Sequence, residues 1–404
     1  MKNALWRKPI TMHLKKISFF LMTAIVFFAG CKKEPAKPGL ADTSPNDCVQ
    51  KANINNGETI QGRYIVVYKT ASVSARGVTE QRLNSIGSVL LSRNNINKSA
   101  LMQSFAGEPG GFIASLSADE ANRLARDESI AAIEPDRIIS LGTCFTVVSP
   151  RLITWNINRV GYGNGIGKRA WVIDTGIDFD HPDLTVDANQ SKSFISGQSS
   201  ADDENGHGTH VAGIIGAKNN TIGVLGIASG ATLVSLRVLD KDGEGLLSYI
   251  VQALAYINIH ASAGDVVNLS VGDDEGISNT LDQQVRNTAA RGIYIAIAAG
   301  NEKALANKYS PGRTNAANVF TVSAIDSLDN FAKFSNYGND VVDYAAPGVR
   351  ILSTYTNGRY AYLSGTSMAA PHVAGLLLLK GNNIMNSGTA KNDPDGIADL
   401  IAHY

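Results

Sequence analysis

From residue 170 onward the chain keeps returning to one device: a short, almost unbroken apolar run, then a longer stretch of small and apolar residues. The runs are Ala170-Trp171-Val172-Ile173, Leu233-Val234-Ser235-Leu236-Arg237-Val238, Val266-Val267-Asn268-Leu269 and Ile293-Tyr294-Ile295-Ala296-Ile297-Ala298. A strand with one face in water alternates apolar and polar residues, whereas a strand covered on both faces does not. These runs therefore predict a buried parallel sheet. Residues 207–217, 245–261 and 278–291 are the helical candidates between them. The alternation predicts a doubly wound α/β domain whose ligands bind beyond the carboxyl ends of the strands. With 404 residues, 44% of them hydrophobic, the chain has material for about two or three such units.

A different texture precedes this domain. Arg63-Tyr64-Ile65-Val66-Val67-Tyr68-Lys69 is β-branched and aromatic and predicts a strand. Residues 78–91 are a helical candidate. Phe112-Ile113-Ala114-Ser115-Leu116 predicts a strand, and Ser117-Ala118-Asp119-Glu120 is a capping box that opens a helix through Arg126. Ile130-Ala131-Ala132-Ile133-Glu134 adds a further strand. This order fits a small ferredoxin-like α+β module, which by itself names no function.

Further upstream, Lys15 and Lys16 precede an apolar run over residues 17–28, shorter than the ~20 residues of a membrane span. The run ends in Phe28-Ala29-Gly30-Cys31, so residues 1–31 read as an export signal. The ending resembles the lipobox of bacterial lipoproteins, which implies lipid attachment at Cys31 and a membrane anchor; an ordinary secretory signal is the alternative reading. Residues 32–60 are a polar, proline-containing tether. Lys+Arg and Asp+Glu both number 36, so charge gives no reason to expect a nucleic-acid partner. The three cysteines, Cys31, Cys48 and Cys144, show no CxxC spacing and make a zinc site unexpected.

Four residues stand where chemistry is done. Asp174 follows the run Trp171-Val172-Ile173 and can either cap a turn or orient a histidine. His207, in Gly206-His207-Gly208-Thr209-His210, opens a small-residue helix; His207 and His210 lack the spacing and glutamate of helical zinc motifs. Asn301, after Ala298-Ala299-Gly300, can serve a turn or donate to an oxyanion. Ser367, in Gly365-Thr366-Ser367-Met368-Ala369-Ala370-Pro371, can cap a helix or act as a nucleophile above its positive end. Taken together, the order Asp…His…Ser is one that the handful of known triad arrangements includes, whereas the Ser…Asp…His order with G-x-S-x-G does not fit.

The blocks Asp174-Thr175-Gly176-Ile177-Asp178, Gly206-His207-Gly208-Thr209-His210-Val211-Ala212-Gly213 and Gly365-Thr366-Ser367-Met368-Ala369-Ala370-Pro371-His372 resemble the three signatures of the subtilisin-like serine proteases, the subtilases. The resemblance extends from about residue 155 to 379, and the preceding module is similar to the inhibitor-type propeptide of that family. It implies a propeptide over 61–142, a catalytic domain over 143–404 and a zymogen that cuts itself free. It further implies Ser367 as nucleophile, His207 as general base, Asp174 as its orienting carboxylate, and Asn301 with the Ser367 N–H as oxyanion hole. A histidine base charges in acid, so activity is expected to fall there.

By the same resemblance, Gly243, Gly245, Ser270, Val271 and Gly272 line two edges that pair with an extended polypeptide substrate, and Leu247 lines the pocket for the fourth residue before the cut. Glu244 and Glu302 read as solvated surface charge. Asp183 and Asn220 side chains, with the Ile222 and Val224 carbonyls, match a structural calcium site. Cys48 and Cys144 flank the module and would tether the pieces if they paired across a cleavage near 141–149. After α-helical residues near Leu379 the chain offers nothing that aligns, which suggests a shortened cap. Two alternatives of other classes are a catalytically silent subtilase-fold binding module, and a nucleotide-binding protein prompted by Gly161-Tyr162-Gly163-Asn164-Gly165-Ile166-Gly167-Lys168, whose glycine spacing completes no phosphate motif.

Overall fold

The computed structural model describes residues 57–69, 80–107, 109–140, 145–147, 153–272 and 276–404. The expected signal with Cys31, the tether to residue 56, Cys48, Cys144 and most of the 141–149 stretch lie outside the described residues. Among the described residues no helix is long and apolar enough to cross a membrane.

The N-terminal module follows the anticipated order with one strand, β2, added: β1 (Thr59–Tyr68), α1 (Glu80–Arg93), β2 (Leu101–Phe105), β3 (Gly111–Ser115), α2 (Ala118–Leu124) and β4 (Ile130–Ser140). Its strands lie in the order β4-β1-β3-β2, all antiparallel. β2, with the mixed residues Leu101-Met102-Gln103-Ser104-Phe105, carries no strand pattern of its own and is fixed by pairing with β3. β1 is apolar at successive positions because both its faces are covered. Val66 and Tyr68 pack with Leu83, Leu91 and Leu124 of the module's own helices. Ile65 and Val67 point the other way, into a core shared with Ile250 and Leu254 of the following domain. The two-residue period of a strand sorts the side chains between these cores. At α2 the capping box forms as read: Ser117 Oγ accepts the Glu120 N–H at 3.3 Å, and the Glu120 carboxylate accepts the Ser117 N–H at 2.8 Å.

The rest of the chain forms β5 (Phe145–Val147), α3 (Trp155–Val160), β6 (Gly163–Asn164), β7 (Arg169–Asp174), β8 (Lys192–Ser193), α4 (His207–Gly216), β9 (Ala228–Ser229), β10 (Thr232–Arg237) and β11 (Glu244–Leu246). Then follow α5 (Leu247–His260), β12 (Val266–Leu269), α6 (Asn279–Ala289), β13 (Tyr294–Ala298), β14 (Val319–Ile325), β15 (Val342–Pro347), β16 (Ile351–Tyr355), β17 (Arg359–Leu363), α7 (Thr366–Lys380), β18 (Met385–Thr389) and β19 (Leu400–His403).

The main sheet has nine strands in the order β18-β19-β15-β14-β13-β12-β7-β10-β8. From β8 through β15 every pairing is parallel. Helices cover both faces: α4 and α7 supply one core with residues such as Val211, Ile215, Val373 and Leu377, and α5 and α6 supply the other with Ile250, Leu254, Leu281 and Val285. That double cover is why the strands read as unbroken apolar runs. After β7 the chain adds β10 on one side, then crosses to place β12 on the other, so strand order reverses at β7, the position at whose carboxyl end sheets of this kind bind their ligands.

Beyond α7, where the sequence offered no element to align, the chain forms two further strands. β18 and β19 form an antiparallel pair, and β19 joins β15 with Ala345 opposite Ile401. Tyr404 then donates its N–H to the Val160 carbonyl at 2.8 Å, and Lys380 Nζ lies 3.7 Å from the Tyr404 ring centroid. A strand pair and a cation–π contact finish this edge. The glycine run at 161–168 forms only the two-residue β6, paired with β9, and no phosphate loop.

Candidate active site

Asp174 is the last residue of β7, at the strand reversal, and is fully buried. Its Oδ1 faces His207 Nδ1 at 2.8 Å and accepts the Thr175 N–H at 2.7 Å. Since the carboxylate accepts, the proton of the neutral ring sits on Nδ1, which leaves Nε2 as the basic lone pair. His207 Nε2 has no hydrogen-bond partner, so that lone pair is uncommitted.

The helix that carries His207 is drawn against β7 by two features. At Gly208 a side chain is excluded, because a Cβ would lie 2.1 Å from the Gly176 carbonyl. Asp203, which the sequence reading passed over, gathers the helix start. Its Oδ1 accepts the Asn205 and Gly206 N–H groups at 2.9 and 3.0 Å and the Thr175 hydroxyl at 2.9 Å. Its Oδ2 accepts the Thr209 N–H at 3.0 Å and hydroxyl at 2.6 Å. Burial raises the Asp203 carboxyl above its ordinary range, against the pull of these donors. A carboxylate just ahead of a helix start was the available signal.

Ser367 lies in the first turn of α7 and is 5% exposed. Its hydroxyl donates to the Ser270 carbonyl at 3.1 Å. Ser270 directly follows β12, whose Leu269 lies opposite Ile173 of β7, so Ser367 and Asp174 stand at the carboxyl ends of neighbouring strands. Helices α4 and α7 pack together on the same face of the sheet.

Asn301 comes after β13. Its Oδ1 accepts the Thr366 N–H at 2.9 Å and the Thr366 hydroxyl at 3.1 Å, while the Gly300 N–H donates back to Thr366 Oγ1 at 3.1 Å. With the oxygen held by the residue before Ser367, the Nδ2 donors lie on the opposite side of the amide. Glu302 is no solvated surface charge, contrary to expectation. Its carboxylate accepts the Asn301 N–H at 3.0 Å and Asn336 Nδ2 at 2.6 Å, and burial raises its proton affinity. It braces the loop on which Asn301 stands.

The first expected substrate edge is already filled. β11 pairs antiparallel with β4 of the N-terminal module, Gly245 opposite Ile139 and Glu244 opposite Ser140. Gly243, at φ +77°, turns the chain into this edge. Ile139 and Leu247 are both fully buried in one apolar cluster with Leu239. The second edge, Ser270-Val271-Gly272, leads to residues 273–275, which lie outside the described residues.

The residues expected to hold calcium do meet, but through donors. Asp183, fully buried, accepts Asn220 Nδ2 at 2.8 Å on one oxygen, and the Val224 N–H at 3.0 Å and the Tyr360 hydroxyl at 3.3 Å on the other. Asn220 Oδ1 in turn accepts the Ile222 N–H at 2.9 Å. These contacts bring Asp183, Asn220, Ile222 and Val224 into one loop cluster; a hard cation held there would take the place of the N–H donors on the Asp183 and Asn220 oxygens. His210 points away from His207, and its Nε2 bonds the Ile351 and Ala361 carbonyls at 2.9 and 3.1 Å.

Comparison with known proteins agrees with this geometry. Residues 171–394 match the family described as "Subtilase family" (peptidase S8), and residues 63–142 match "Peptidase inhibitor I9". The chain is 40% identical over 278 residues to the thermostable alkaline protease of Halalkalibacterium halodurans, covering 66% of this chain and 71% of that one. It is 44% identical over 234 residues to subtilisin BL of Lederbergia lenta, covering 56% and 83%. Among solved structures, a cold-adapted subtilisin-like serine proteinase superposes with a TM-score of 0.54 at 32% identity, covering 63% of this chain and 98% of that one.

Proposed function

The chain belongs to the subtilase family of serine endopeptidases and carries an I9-type propeptide domain, and from that premise we propose that it cleaves polypeptides with Asp174, His207 and Ser367. The observation that carries this reading is the 2.8 Å Asp174–His207 contact at the strand reversal, with Nε2 left unbonded. The Ser367 hydroxyl turns from the Ser270 carbonyl to His207 Nε2, which takes its proton as the oxygen attacks the scissile carbonyl. Nε2 then passes that proton to the departing amine, and Asp174 stabilises the imidazolium in between. The Asn301 Nδ2 and the Ser367 N–H bind the oxyanion. The Ser270 carbonyl, once released, accepts an N–H of the peptide lying along Ser270-Val271-Gly272, and Gly243–Gly245 supplies the other edge. A fluorophosphonate probe should label the wild type and leave Ser367→Ala and His207→Ala unlabelled; equal labelling of Ser367→Ala would end the proposal and favour a silent binding module.

We further propose residues 61–142 as an inhibitory propeptide and 143–404 as the enzyme that cuts between them. β4 occupies the β11 edge up to Ser140, and the chain is next held at Phe145, opposite Leu363 of β17, a few residues before Ser367. The bond that Ser367 attacks therefore falls between these two strands. N-terminal sequencing of the mature protein should begin between residues 141 and 145, and Ser367→Ala should remain uncut. Export through residues 1–31, with lipid on Cys31, is read from sequence; membrane partition of full-length and mature forms tests it, since cleavage releases the catalytic domain from any anchor. No catalytic step is assigned to calcium. A rise in Tm on adding calcium would show that the Asp183 loop exchanges its donors for the cation.

A further inference from the structure

Pro371 lies inside α7, four residues after Ser367. In a regular helix the N–H of residue 371 would serve the carbonyl of residue 367; proline has no N–H, and its ring pushes that carbonyl outward. The Ser367 carbonyl is nevertheless bonded: the Ser270 hydroxyl donates to it at 3.0 Å. Ser270 Oγ in turn accepts Asn268 Nδ2 at 2.8 Å, an interaction that fixes which way its own proton points. Asn268, Ser270 and Ser367 are all buried, so the relay Asn268 Nδ2–H to Ser270 Oγ–H to Ser367 O runs without solvent competition. It ties the end of β12, next to the strand that ends in Asp174, to the first turn of the helix that carries the nucleophile.

We propose that the Ser270 hydroxyl is a positioning residue for Ser367, substituting for the helical donor that Pro371 removes. Resting on the reading of Ser367 as nucleophile, this adds to Ser270 a role separate from its carbonyl, which faces the peptide. The hydroxyl holds the Ser367 main chain, and through it the angle of the Oγ atom and the direction of the oxyanion-binding N–H. Misplacement of a reacting group by about 1 Å costs on the order of a hundredfold in rate. Loss of the hydroxyl is therefore expected to lower kcat by roughly ten- to a hundredfold while KM changes less than about twofold, because no substrate contact is removed.

The test is a cycle between Ser270 and Pro371 in the full chain, matured and then titrated to completion with a fluorophosphonate so that kcat is expressed per reactive serine. Ser270→Ala should show the kcat loss, and Ser270→Thr, which keeps a hydroxyl, should recover most of it. Ser270→Ala combined with Pro371→Ala restores a backbone donor at 371 and should recover kcat by about tenfold over Ser270→Ala alone. If Ser270→Ala fails to mature, Ser270→Cys, similar in volume with a weak donor, takes its place in the same cycle. Wild-type kcat in the tested Ser270 variant, or a loss that Pro371→Ala leaves untouched, would overturn the proposal. An active Ser367→Ala would instead overturn the nucleophile assignment, so the two failures are told apart.

Discussion

Asp136, fully buried in β4, accepts both the backbone N–H of Ser248 at 2.9 Å and its hydroxyl at 2.6 Å. Ser248 stands in the first turn of α5, so a propeptide carboxylate caps a helix of the catalytic domain. Glu134, two residues earlier on the same strand face, takes the hydroxyl of Ser278, the N-cap of α6. Arg63 closes the arrangement with a 2.7 Å ion pair to Asp136.

Asp136→Ala, which removes the accepting oxygens, should therefore weaken the hold of the cleaved propeptide without touching the catalytic site. Loss of a helix cap costs about 1–2 kcal/mol, which corresponds to roughly five- to thirtyfold faster dissociation if the association rate is unchanged. The lag before full activity appears after self-cleavage measures it. An unaltered lag would mean that the β4–β11 pairing, the Glu134–Ser278 bond and the apolar contacts of Ile65, Val67 and Ile139 hold the complex without the Asp136 cap.

A second prediction concerns alkaline stability. Asp399 is 4% exposed; burial, opposed by the Ser323 hydroxyl 2.5 Å away and aided by Asp393, Asp395 and Asp343, pushes its carboxyl up to about 7. Its folded value lies above the ~3.9 of an unfolded chain, so its contribution is fully favourable below about pH 4 and is lost as pH rises through 7. Asp399→Asn keeps the shape and removes the charge. Its Tm should exceed that of the parent by several degrees at pH 9, on the order of 2–4 °C per kcal/mol, and match it near pH 4. Both are measured in a Ser367→Ala background to suppress autolysis; equal Tm at pH 9 would contradict the argument.

Acid stability runs the other way. His210 is held down to about 3 and His372 to about 4, in each case chiefly by burial. His372 has no room to charge: its Nε2 faces Asn156 Nδ2 at 2.8 Å and its Nδ1 bonds the Met368 carbonyl at 2.8 Å. Unfolded histidines take protons near pH 6.5, so the stability that these two confer is complete above that pH and falls as pH drops toward 4 and then 3. The slope is up to about 1.4 kcal/mol per pH unit for each histidine. His372→Gln should flatten the fall of Tm between pH 6 and 4; an unchanged slope would assign the loss to other groups.

The burial patterns explain what the sequence made legible. The buried strands announced themselves because burial on both faces leaves unbroken apolar runs, and the α2 capping box because its partners are three residues apart. Asp174, His207 and Ser367 could be read because each is set in a local turn or helix start with its own glycine chemistry. Asp203 left a local signal, a carboxylate two to six residues ahead of the N–H groups it holds, whereas Asp136 and the Ser270–Ser367 pair were not legible, since each depends on contacts between segments distant in the chain. The relay partners Ser270 and Ser367 are 97 positions apart, and a hydroxyl among polar neighbours leaves no periodic mark. β2 escaped notice for the same reason: its identity as a strand lies in β3. Glu302 was misread because a carboxylate in a loop looks solvated until Asn336, on another loop, is seen to meet it.

Specificity for the fourth residue before the cut can be tested through Leu247. Ile139 of the propeptide lies opposite Gly245, two positions from Leu247, and its side chain shares a closed apolar cluster with Leu247 and Leu239. A peptide that takes the place of β4 on the same edge would put an apolar side chain into that space. Leu247→Ala removes one wall of it, and deleting a few methylene groups from such a pocket is worth about 1–3 kcal/mol of discrimination. The ratio of kcat/KM for leucine over alanine at the fourth position before the cut should therefore fall about tenfold or more, with kcat/KM for the alanine peptide nearly unchanged. The full β11 edge remains in this variant, so backbone pairing is retained and the effect isolates the pocket. A ratio equal to that of the parent would place the fourth side chain elsewhere and leave Leu247 as core alone.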